Sequence, residues 1–216
     1  MKRILQILLL SLAALLQAEA RTPMREWLAA MPDSVMPLLV KNRRLDLIDF
    51  YDARMEAVVT NLLDGKSRLE TLTEDFAKIG YTGASDVTMK LLAVNDTTDI
   101  LCMVTTMKSK GKATVADSRI AFFDEQWNPL KATAYMNEPS IEDFRSTQQS
   151  DSVQWAWNKL DTFFRTYQLC AENTELKCVL TTTDYLSTDD RKELIPYLRK
   201  DPLTYRWTNG KYEAYE

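Results

Sequence analysis

The sequence predicts an α+β fold, with N-terminal helices followed by an antiparallel β-meander, then a helix plus two β-hairpins with an intervening short helix. Three observations lead to this prediction. Three consecutive β-type runs lie between Asp86 and Asp124, a stretch with helical spacing precedes them, and Asn209-Gly210 near the end is the preferred type I′ hairpin dipeptide.

The three central runs are assigned as strands from their periodicity. Residues 87–94 are apolar at alternate positions, as expected for a strand with one buried face, whereas residues 100–107 are apolar on both faces. Two-sided apolarity indicates an interior strand that is covered on both sides. Residues 116–123 complete the trio, which we expect to form the middle of the sheet.

The helical stretch covers residues 43–55, with Asn42 as the expected N-cap. Its apolar side chains recur at helical spacing, at Leu45, Ile48, Tyr51 and Met55. Another flank carries the carboxylates Asp46, Asp49 and Asp52. A cation site is one interpretation of them, but we favour a solvated helix face that is balanced by Arg43, Arg44 and Arg54.

Hairpins are expected on both sides of the central trio. Asp64-Gly65 predicts a turn between strands at 57–62 and 67–72, and residues 75–81 are a weaker strand candidate. The closing hairpin is expected to pair Trp207 with Tyr212 and Arg206 with Glu213, because a two-residue turn fixes the register.

Helices are expected between the later strands. After a polar connection at 136–150, a helical stripe is formed by Val153, Trp157, Leu160 and Phe164, and Ser187 begins a short helix before Pro202. The later strands either extend the first sheet or form a second one. A duplicated helix-plus-four-strand architecture, like that of the β-lactamase inhibitory protein, is an alternative based on element order alone.

The N-terminus predicts export. Lys2-Arg3 precede an apolar run at 4–16, and Ala18-Glu19-Ala20 fits the small-x-small pattern that signal peptidase cuts. We therefore expect a signal peptide at 1–20 and a single α+β domain at 21–216, with a possible subdivision near 137–150. No later run reaches the roughly 18 apolar residues of a membrane helix. The mature chain is expected to be periplasmic or extracellular, with no membrane span.

Charge and composition exclude several function classes. The net charge of −4 offers nucleic acid no basic face. The chain contains no histidine, which removes Ser-His-Asp and Cys-His catalysis, histidine zinc sites and histidine-ligated haem. Carboxylate-only chemistry, Ser-Lys pairs, an oxygen-ligated calcium site and the absence of catalysis remain open. We favour a protein without catalytic residues, metal or cofactor.

Three cysteines in an exported chain permit one disulfide. If the loop of a hairpin around residues 172–175 centres on Thr174, Cys170 and Cys178 lie directly opposite each other and are the candidate pair. Two unpaired strand cysteines are the alternative, because a shift of one residue in register breaks the match. Cys102, in the two-sided apolar run, is expected to be a buried thiol.

Candidate binding residues lie at the rims of the central strands, because loops on a rigid scaffold commonly carry function. They are Lys108, Lys110 and Lys112 in one loop, and Asp124, Glu125 and Trp127 in a turn. An exposed Trp127 would stack on a sugar, whereas a tryptophan folded back over the sheet end would only fill space.

Four stretches carry a resemblance to a known family: Arg44-Leu45-Asp46-Leu47-Ile48-Asp49-Phe50-Tyr51, Gly65-Lys66-Ser67-Arg68-Leu69, Ala116-Asp117-Ser118-Arg119-Ile120 and Leu203-Thr204-Tyr205-Arg206-Trp207. Together they resemble a domain-of-unknown-function family of exported proteins from Bacteroides-type gut anaerobes. The resemblance extends over nearly all of the mature chain. It implies an exported, single-unit α+β protein and brings no assigned activity, cofactor or catalytic residue.

These observations favour a non-catalytic protein that binds an unknown protein or glycan of the cell envelope. One alternative is a carboxylate-dependent hydrolase acting on saccharides, which needs two carboxyl groups roughly 5 to 10 Å apart across a cleft. The carboxylates considered for it are Asp46, Asp49, Asp52, Asp124, Glu125 and Asp184. Another alternative is an inhibitor of a secreted enzyme.

Overall fold

Two antiparallel sheets and three short α-helices make up the described part of the chain. The computed structural model describes residues 21–109, 115–146, 160 and 162–215. The helices are α1 (Met24–Ala30), α2 (Lys41–Asp52) and α3 (Thr188–Leu194). The strands are β1 (Val58–Thr60), β2 (Lys66–Leu72), β3 (Phe76–Thr82), β4 (Ser85–Ala93), β5 (Asp99–Lys108), β6 (Ala116–Phe123), β7 (Pro129–Leu130), β8 (Arg165–Leu169), β9 (Glu175–Leu180), β10 (Leu203–Thr208) and β11 (Lys211–Tyr215).

The first sheet is a meander in which β1 to β7 lie side by side in chain order, each antiparallel to its neighbour. The three central runs form β4, β5 and β6, and the weaker candidate at 75–81 corresponds to β3. Leu101 and Cys102, neighbours in β5, are both fully buried, although they point to opposite faces. The predicted α+β class with an antiparallel meander is confirmed.

The later strands form a second, four-stranded sheet in the order β11-β10-β9-β8. Of the two arrangements left open by the sequence, they therefore form a separate sheet and do not extend the first one. Its closing hairpin has the predicted register, with Trp207 opposite Tyr212 and Arg206 opposite Glu213. Asn209 has φ 51° and Gly210 has φ 75°. Both turn residues therefore adopt the left-handed conformation that a type I′ turn requires.

The first sheet is buried on both faces by different elements. On one face, which we call the helix-side face, α1, α2 and the segment between them enclose a core with Met89, Leu101 and Phe123. On the other face, the second sheet packs over Leu92, Cys102 and Ile120 and contributes Leu176 and Tyr205 to a second core. The order of the layers is therefore helices, first sheet and second sheet.

Arg44 organises the helical layer from inside it. Its side chain is completely buried, and its guanidinium donates to the carbonyl oxygens of Leu28 at 3.1 Å, Leu39 at 2.6 Å and Met31. The expectation that Arg44 belongs to a solvated face is therefore wrong. The reason is that the segment leaving α1 turns its carbonyl groups inward, where a planar five-donor side chain satisfies several of them.

The start of α2 also differs from the expectation. Asn42 lies inside the helix, and no side chain of the residue preceding the helix caps it. Instead, the Asp33 carboxylate accepts from the Lys41 backbone N–H at 2.8 Å and pairs with Arg44 at 3.0 Å. A carboxylate from the segment before the helix thus takes the role expected of Asn42.

Helix α2 ends at Asp52, so Met55 of the predicted stripe lies beyond it and is exposed. Leu45 is exposed because the buried side of α2 is formed by Arg44, Leu47 and Ile48. Asp46 pairs with Arg43 on the outside at 3.7 Å, consistent with the favoured interpretation of this flank as a solvated face.

The segment after β7 is more ordered than the predicted polar connection. Met136 forms a parallel bridge with Tyr212, and Phe144 ends a 3₁₀ turn at Ile141–Phe144; both Met136 and Phe144 are buried in the second core. Of the helix expected to follow, Val153 and Trp157 lie outside the described residues, whereas Leu160 and Phe164 belong to no helix or strand. Residues 1–20 of the predicted signal peptide also lie outside the described residues.

Candidate functional site

The helices do not cover the whole helix-side face of the first sheet. They pack over the half of β5 and β6 that carries Leu101 and Phe123, and the cover ends towards Thr105, Met107 and Arg119. Met107 remains 65 % exposed on this face. A groove of about 710 Å³, which we call the sheet groove, lies at this uncovered end.

The sheet groove has an apolar floor with polar groups at one end. The floor consists of alternate side chains of two strands, Met103, Thr105 and Met107 from β5 and Arg119, Ala121 and Phe123 from β6. The walls are Ser34 and Val35 on one side, and Pro129, Leu130 and Ala132 on the other. Ligand sites are typically concave and mainly apolar, with a small number of polar groups that converge on the ligand.

The charges of the groove come from β6. Arg119 is exposed and forms no ion pair within the described residues. The groove has one carboxylate among those residues, Asp117, whose Oδ1 accepts from the Arg165 backbone N–H at 3.1 Å and so ties β6 to β8. The groove therefore carries one negative side chain, which is held by β8, and one positive side chain, Arg119, whose guanidinium is exposed to a ligand.

Two other cavities are smaller. One, of about 320 Å³, lies between Phe144, Leu180 and Leu198, and the Arg199 side chain at its edge donates to the Asp201 carbonyl at 3.0 Å. The other, of about 370 Å³, is lined by Glu138, Asp143 and Tyr205 among others. Two of its three carboxylates are engaged, because Glu138 pairs with Arg165 and Asp143 accepts from Ser140 in a capping box, whereas the third, Glu213, is exposed.

The structure does not bring the sequence-predicted binding residues together. Trp127 is buried, and its ring contacts Trp27 and Phe123 at centroid distances of 5.8 and 5.4 Å. Its proposed role as an exposed sugar platform is therefore wrong, and it fills the end of the helix-side core instead. Lys108 is paired with Asp86, and because it neighbours Met107 in β5 it points to the opposite face from the groove. Lys110 and Lys112 lie outside the described residues.

Asp124 shapes the turn that positions Trp127. Its carboxylate accepts from the Asn128 side-chain amide at 2.9 Å and from the backbone N–H groups of Gln126 and Asn128 at 2.9 and 2.8 Å. The hydrogen bond from the Asn128 side chain, with those from the backbone, lowers the pKa of Asp124. Glu125 is exposed at the tip of the same turn.

The carboxylates considered for hydrolysis lie outside the three cavities described above. They are Asp46, Asp49, Asp52, Asp124, Glu125 and Asp184. Within the described residues, no cluster of three or more Cys, Asp or Glu side chains has an arrangement that would hold a metal ion. None of the helices described there has the length and apolarity that crossing a bilayer requires.

The predicted disulfide is not formed, and all three cysteines are free. The hairpin exists, but Cys178 lies opposite Tyr167, and the Cys170 backbone N–H donates to Glu175. The two thiols also point to opposite faces of the sheet: Cys178 is buried in the second core, whereas the Cys170 thiol donates to Glu172 at 3.1 Å.

Sequence reasoning missed Met107 and Arg119 as site residues. The signal was present in part, because Met107 falls in the two-sided apolar run and Arg119 lies on the opposite face of β6 from Ile120 and Phe122. The sequence pattern does not show how much of the sheet the helices cover. These two side chains remain exposed because the helices do not extend over them.

Comparisons with known proteins show a family and a shared fold. Residues 15–212 match the model of a family described as "Protein of unknown function (DUF3256)". Among solved structures, a domain of an uncharacterized protein from Porphyromonas gingivalis W83 is similar, with 28 % sequence identity and a TM-score of 0.78. The match covers 91 % of this chain and 100 % of that chain. A search of curated proteins found no match.

Proposed function

The chain belongs to the family described as "Protein of unknown function (DUF3256)", and because that description names no activity, we propose a function from the sheet groove. The protein is an exported, non-catalytic component of the cell envelope that binds a ligand in this groove. The observation that carries the proposal is the exposed apolar Met107 beside Arg119, which forms no ion pair within the described residues, at the uncovered end of the helix-side face.

The composition of the groove supports binding. An exposed apolar surface with a few polar groups at its rim is typical of a surface that meets a ligand or partner. Burying Met107 and part of the apolar floor would favour association, and Arg119 would orient a ligand that carries a negative charge. The resemblance of the N-terminus to a signal peptide supports export.

The lining favours binding over carboxylate-dependent hydrolysis. Such hydrolysis needs two carboxyl groups across a cleft, and Asp117 is the groove's one carboxylate among the described residues. Since Asp117 is also engaged with the Arg165 backbone, the groove lacks a carboxyl pair for acid and nucleophile within that part of the chain.

Affinity capture tests the groove. The tagged mature chain, residues 21–216, is compared with the double variant Met107→Asp and Arg119→Glu in capture from envelope extract and on a glycan array. Both positions are exposed, so the variant is expected to fold and to lose the captured ligand. The matched control is Leu63→Asp with Lys177→Glu, which makes the same kinds of change at exposed positions outside the groove. Equal capture by the wild type and both variants would refute binding in the groove.

Cell fractionation tests export. Expressed in a host with a compatible secretion system, the chain is expected in the envelope fraction with Arg21 as its N-terminus, which N-terminal sequencing detects. A cytosolic chain that retains residues 1–20 would refute this part of the proposal.

A further inference from the structure

The outer edge of β6 is largely unpaired. Strand β7 covers it only at two positions, where Leu130 lies opposite Phe122 and Pro129 opposite Phe123. Beyond β7 the chain turns away into a 3₁₀ segment at Ala132–Ala134. Among the residues that the structure describes, the part of β6 before Phe122 therefore has a ladder partner on its β5 side only.

The hydrogen-bond pattern identifies which backbone groups face outward. The Ser109 N–H donates to the Val115 carbonyl at 2.8 Å, so residue 115 and every second residue after it direct their backbone groups to β5. Ala116, Ser118, Ile120 and Phe122 then point theirs outward. The Ala116 carbonyl follows this rule, because it accepts from the Thr181 hydroxyl at 2.5 Å.

Ser118 and Ile120 are the outward residues without a strand opposite them. Within the described residues, no backbone hydrogen bond joins their outward groups to another segment. Both residues are buried, each with 6 % of its surface exposed, so a ligand reaches this edge from the groove side, where Ile120 belongs to the lining.

This edge borders the sheet groove. Residues 119 to 123 all line the groove, although alternate side chains of a strand point to opposite faces. Ile120 and Phe122, whose side chains point away from it, reach the groove only along the edge of the strand. A ligand in the groove therefore meets the outward backbone groups of Ile120 as well as the apolar floor, and Ser118 lies two residues further along the same edge.

Resting on the groove function proposed above, we propose that the ligand is an extended peptide segment of another protein, which adds to the outer edge of β6 as a strand. An extended peptide backbone presents donors and acceptors at the spacing of the outward groups of Ser118 and Ile120, and strand addition is an established mode of peptide recognition. The peptide pairs with β6 next to the two positions that β7 covers.

The side chains of the groove define the peptide further. Every second residue of the added strand lies on the helix-side face, beside Arg119 and Ala121. The residue beside Arg119 carries a carboxylate, because this guanidinium has no ion pair within the described residues. The next residue on the same face is apolar and packs towards Ala121 and Met103. The preferred sequence is therefore acidic-x-apolar.

Selection from a phage-displayed library of random heptapeptides tests the proposal with the immobilised mature chain. The expected result is enrichment of peptides with a carboxylate and an apolar residue two positions apart. A selected peptide is then synthesised, and amide hydrogen exchange of the chain is measured with and without it. Binding is expected to slow exchange at Ser118 and Ile120, whereas Arg119 and Ala121, already bonded to β5, change little.

A pair of variants at one position isolates the backbone donor. Ser118→Pro removes the outward N–H but no hydrogen bond to β5, and proline is tolerated on edge strands. Ser118→Ala is its matched control, because both variants lose the side-chain contact with Thr106 but the alanine keeps the N–H. Peptide affinity is expected to fall roughly threefold to tenfold from Ser118→Ala to Ser118→Pro, since one backbone hydrogen bond is lost. The exchange pattern of β5 verifies that both variants are folded.

The outcomes separate this inference from the function on which it rests. Peptides that bind without slowing exchange at residues 118 and 120, or that bind both Ser118 variants equally, would overturn strand addition. Glycan binding that is lost in the Met107→Asp, Arg119→Glu variant would leave the groove function intact and overturn the peptide. Selection of no peptide, together with unchanged capture by that variant, would refute both proposals.

Discussion

The three thiols differ in burial, and this difference predicts their reactivity. Burial raises the pKa of Cys178 to about 12 and raises the pKa of the fully buried Cys102 thiol well above its usual range. Cys170 is only half buried, beyond the end of β8. A thiol-specific reagent at pH 8 is therefore expected to label Cys170 in the folded protein, and all three cysteines after denaturation.

Mass spectrometry of the digested, labelled chain checks this expectation under native and denaturing conditions. Cys170→Ser is the control and is expected to abolish native labelling. A non-reduced peptide that links Cys170 to Cys178 would contradict the described register of the β8–β9 hairpin.

Asp124 gives a prediction about pH. Because the hydrogen bond from the Asn128 side chain lowers the folded-state pKa, the carboxylate stabilises the turn at pH values above its unfolded pKa of about 3.9. This stabilisation is lost as the pH falls through the folded-state pKa. An NMR titration of the Asp124 carboxyl should therefore show a midpoint below the unfolded pKa, and in Asn128→Ala the midpoint should move upward. A midpoint at or above the usual value would contradict the turn geometry.

Single residues mark where sequence reasoning reaches its limit. Trp127 was a candidate both for ligand binding and for space filling, and the sequence does not distinguish them. The structure decides through φ 61° at Trp127 and the position of Trp27, a residue distant in sequence that receives its ring. Arg44 is a similar case. Its charged neighbours in the sequence predict an exposed side chain, but residues 28–39 fold over it and accept its hydrogen bonds.

At the scale of elements, Arg44 joins α1, α2 and the segment between them, so its replacement should destabilise the whole helical layer. Arg44→Met leaves buried carbonyl groups and Asp33 without their donor. The free energy of unfolding is expected to fall by about 3–5 kcal/mol, as for other broken buried charge networks.

Urea denaturation of the mature chain measures this change as a lower midpoint with an unaltered slope. Arg43→Met is the matched control, because Arg43 is exposed and its pair with Asp46 spans 3.7 Å. Its effect should stay within about 0.5 kcal/mol. Equal effects of the two variants would contradict the role assigned to Arg44.

The hairpins show what makes an element predictable. Asn209-Gly210 demands two left-handed residues, so the turn fixes the register of β10 and β11 without help from the rest of the fold. The β8–β9 turn has no such dipeptide, and its register, with Leu169 opposite Leu176, follows from the burial of Tyr167 and Leu176 in the second core. The centre assumed at Thr174 was therefore wrong, and the disulfide with it.

At the scale of the molecule, the meander was predictable and the groove was not. Two-sided apolarity of β5 showed from sequence that layers cover both faces of the sheet. The extent of each layer depends on how far the segment at 31–39 crosses the sheet and on where β7 ends after two residues. Both features depend on tertiary packing and not on local sequence. Together they leave Met107, Arg119 and the edge of β6 uncovered.

The second core also predicts how the molecule unfolds. Leu176 of β9 is completely buried and belongs to the same cluster as Leu92 of β4 and Cys102 of β5. Lys90, itself buried, adds a link between the sheets by donating to the Ala171 carbonyl at 2.9 Å and pairing with Asp75 at 2.9 Å. The two sheets are therefore expected to unfold as one cooperative unit.

Leu176→Ala tests this unit, because a buried Leu→Ala change costs about 2–5 kcal/mol. Native-state hydrogen exchange should show the same loss of opening free energy for the most protected amides of β5 and β9, although only β9 carries the substitution. Lys177→Ala, an exposed change in the same strand, should leave both sets unchanged. If only the amides of β8 to β11 lost protection, the second sheet would be an independent unit, and the possible subdivision near residues 137–150 would be a real boundary.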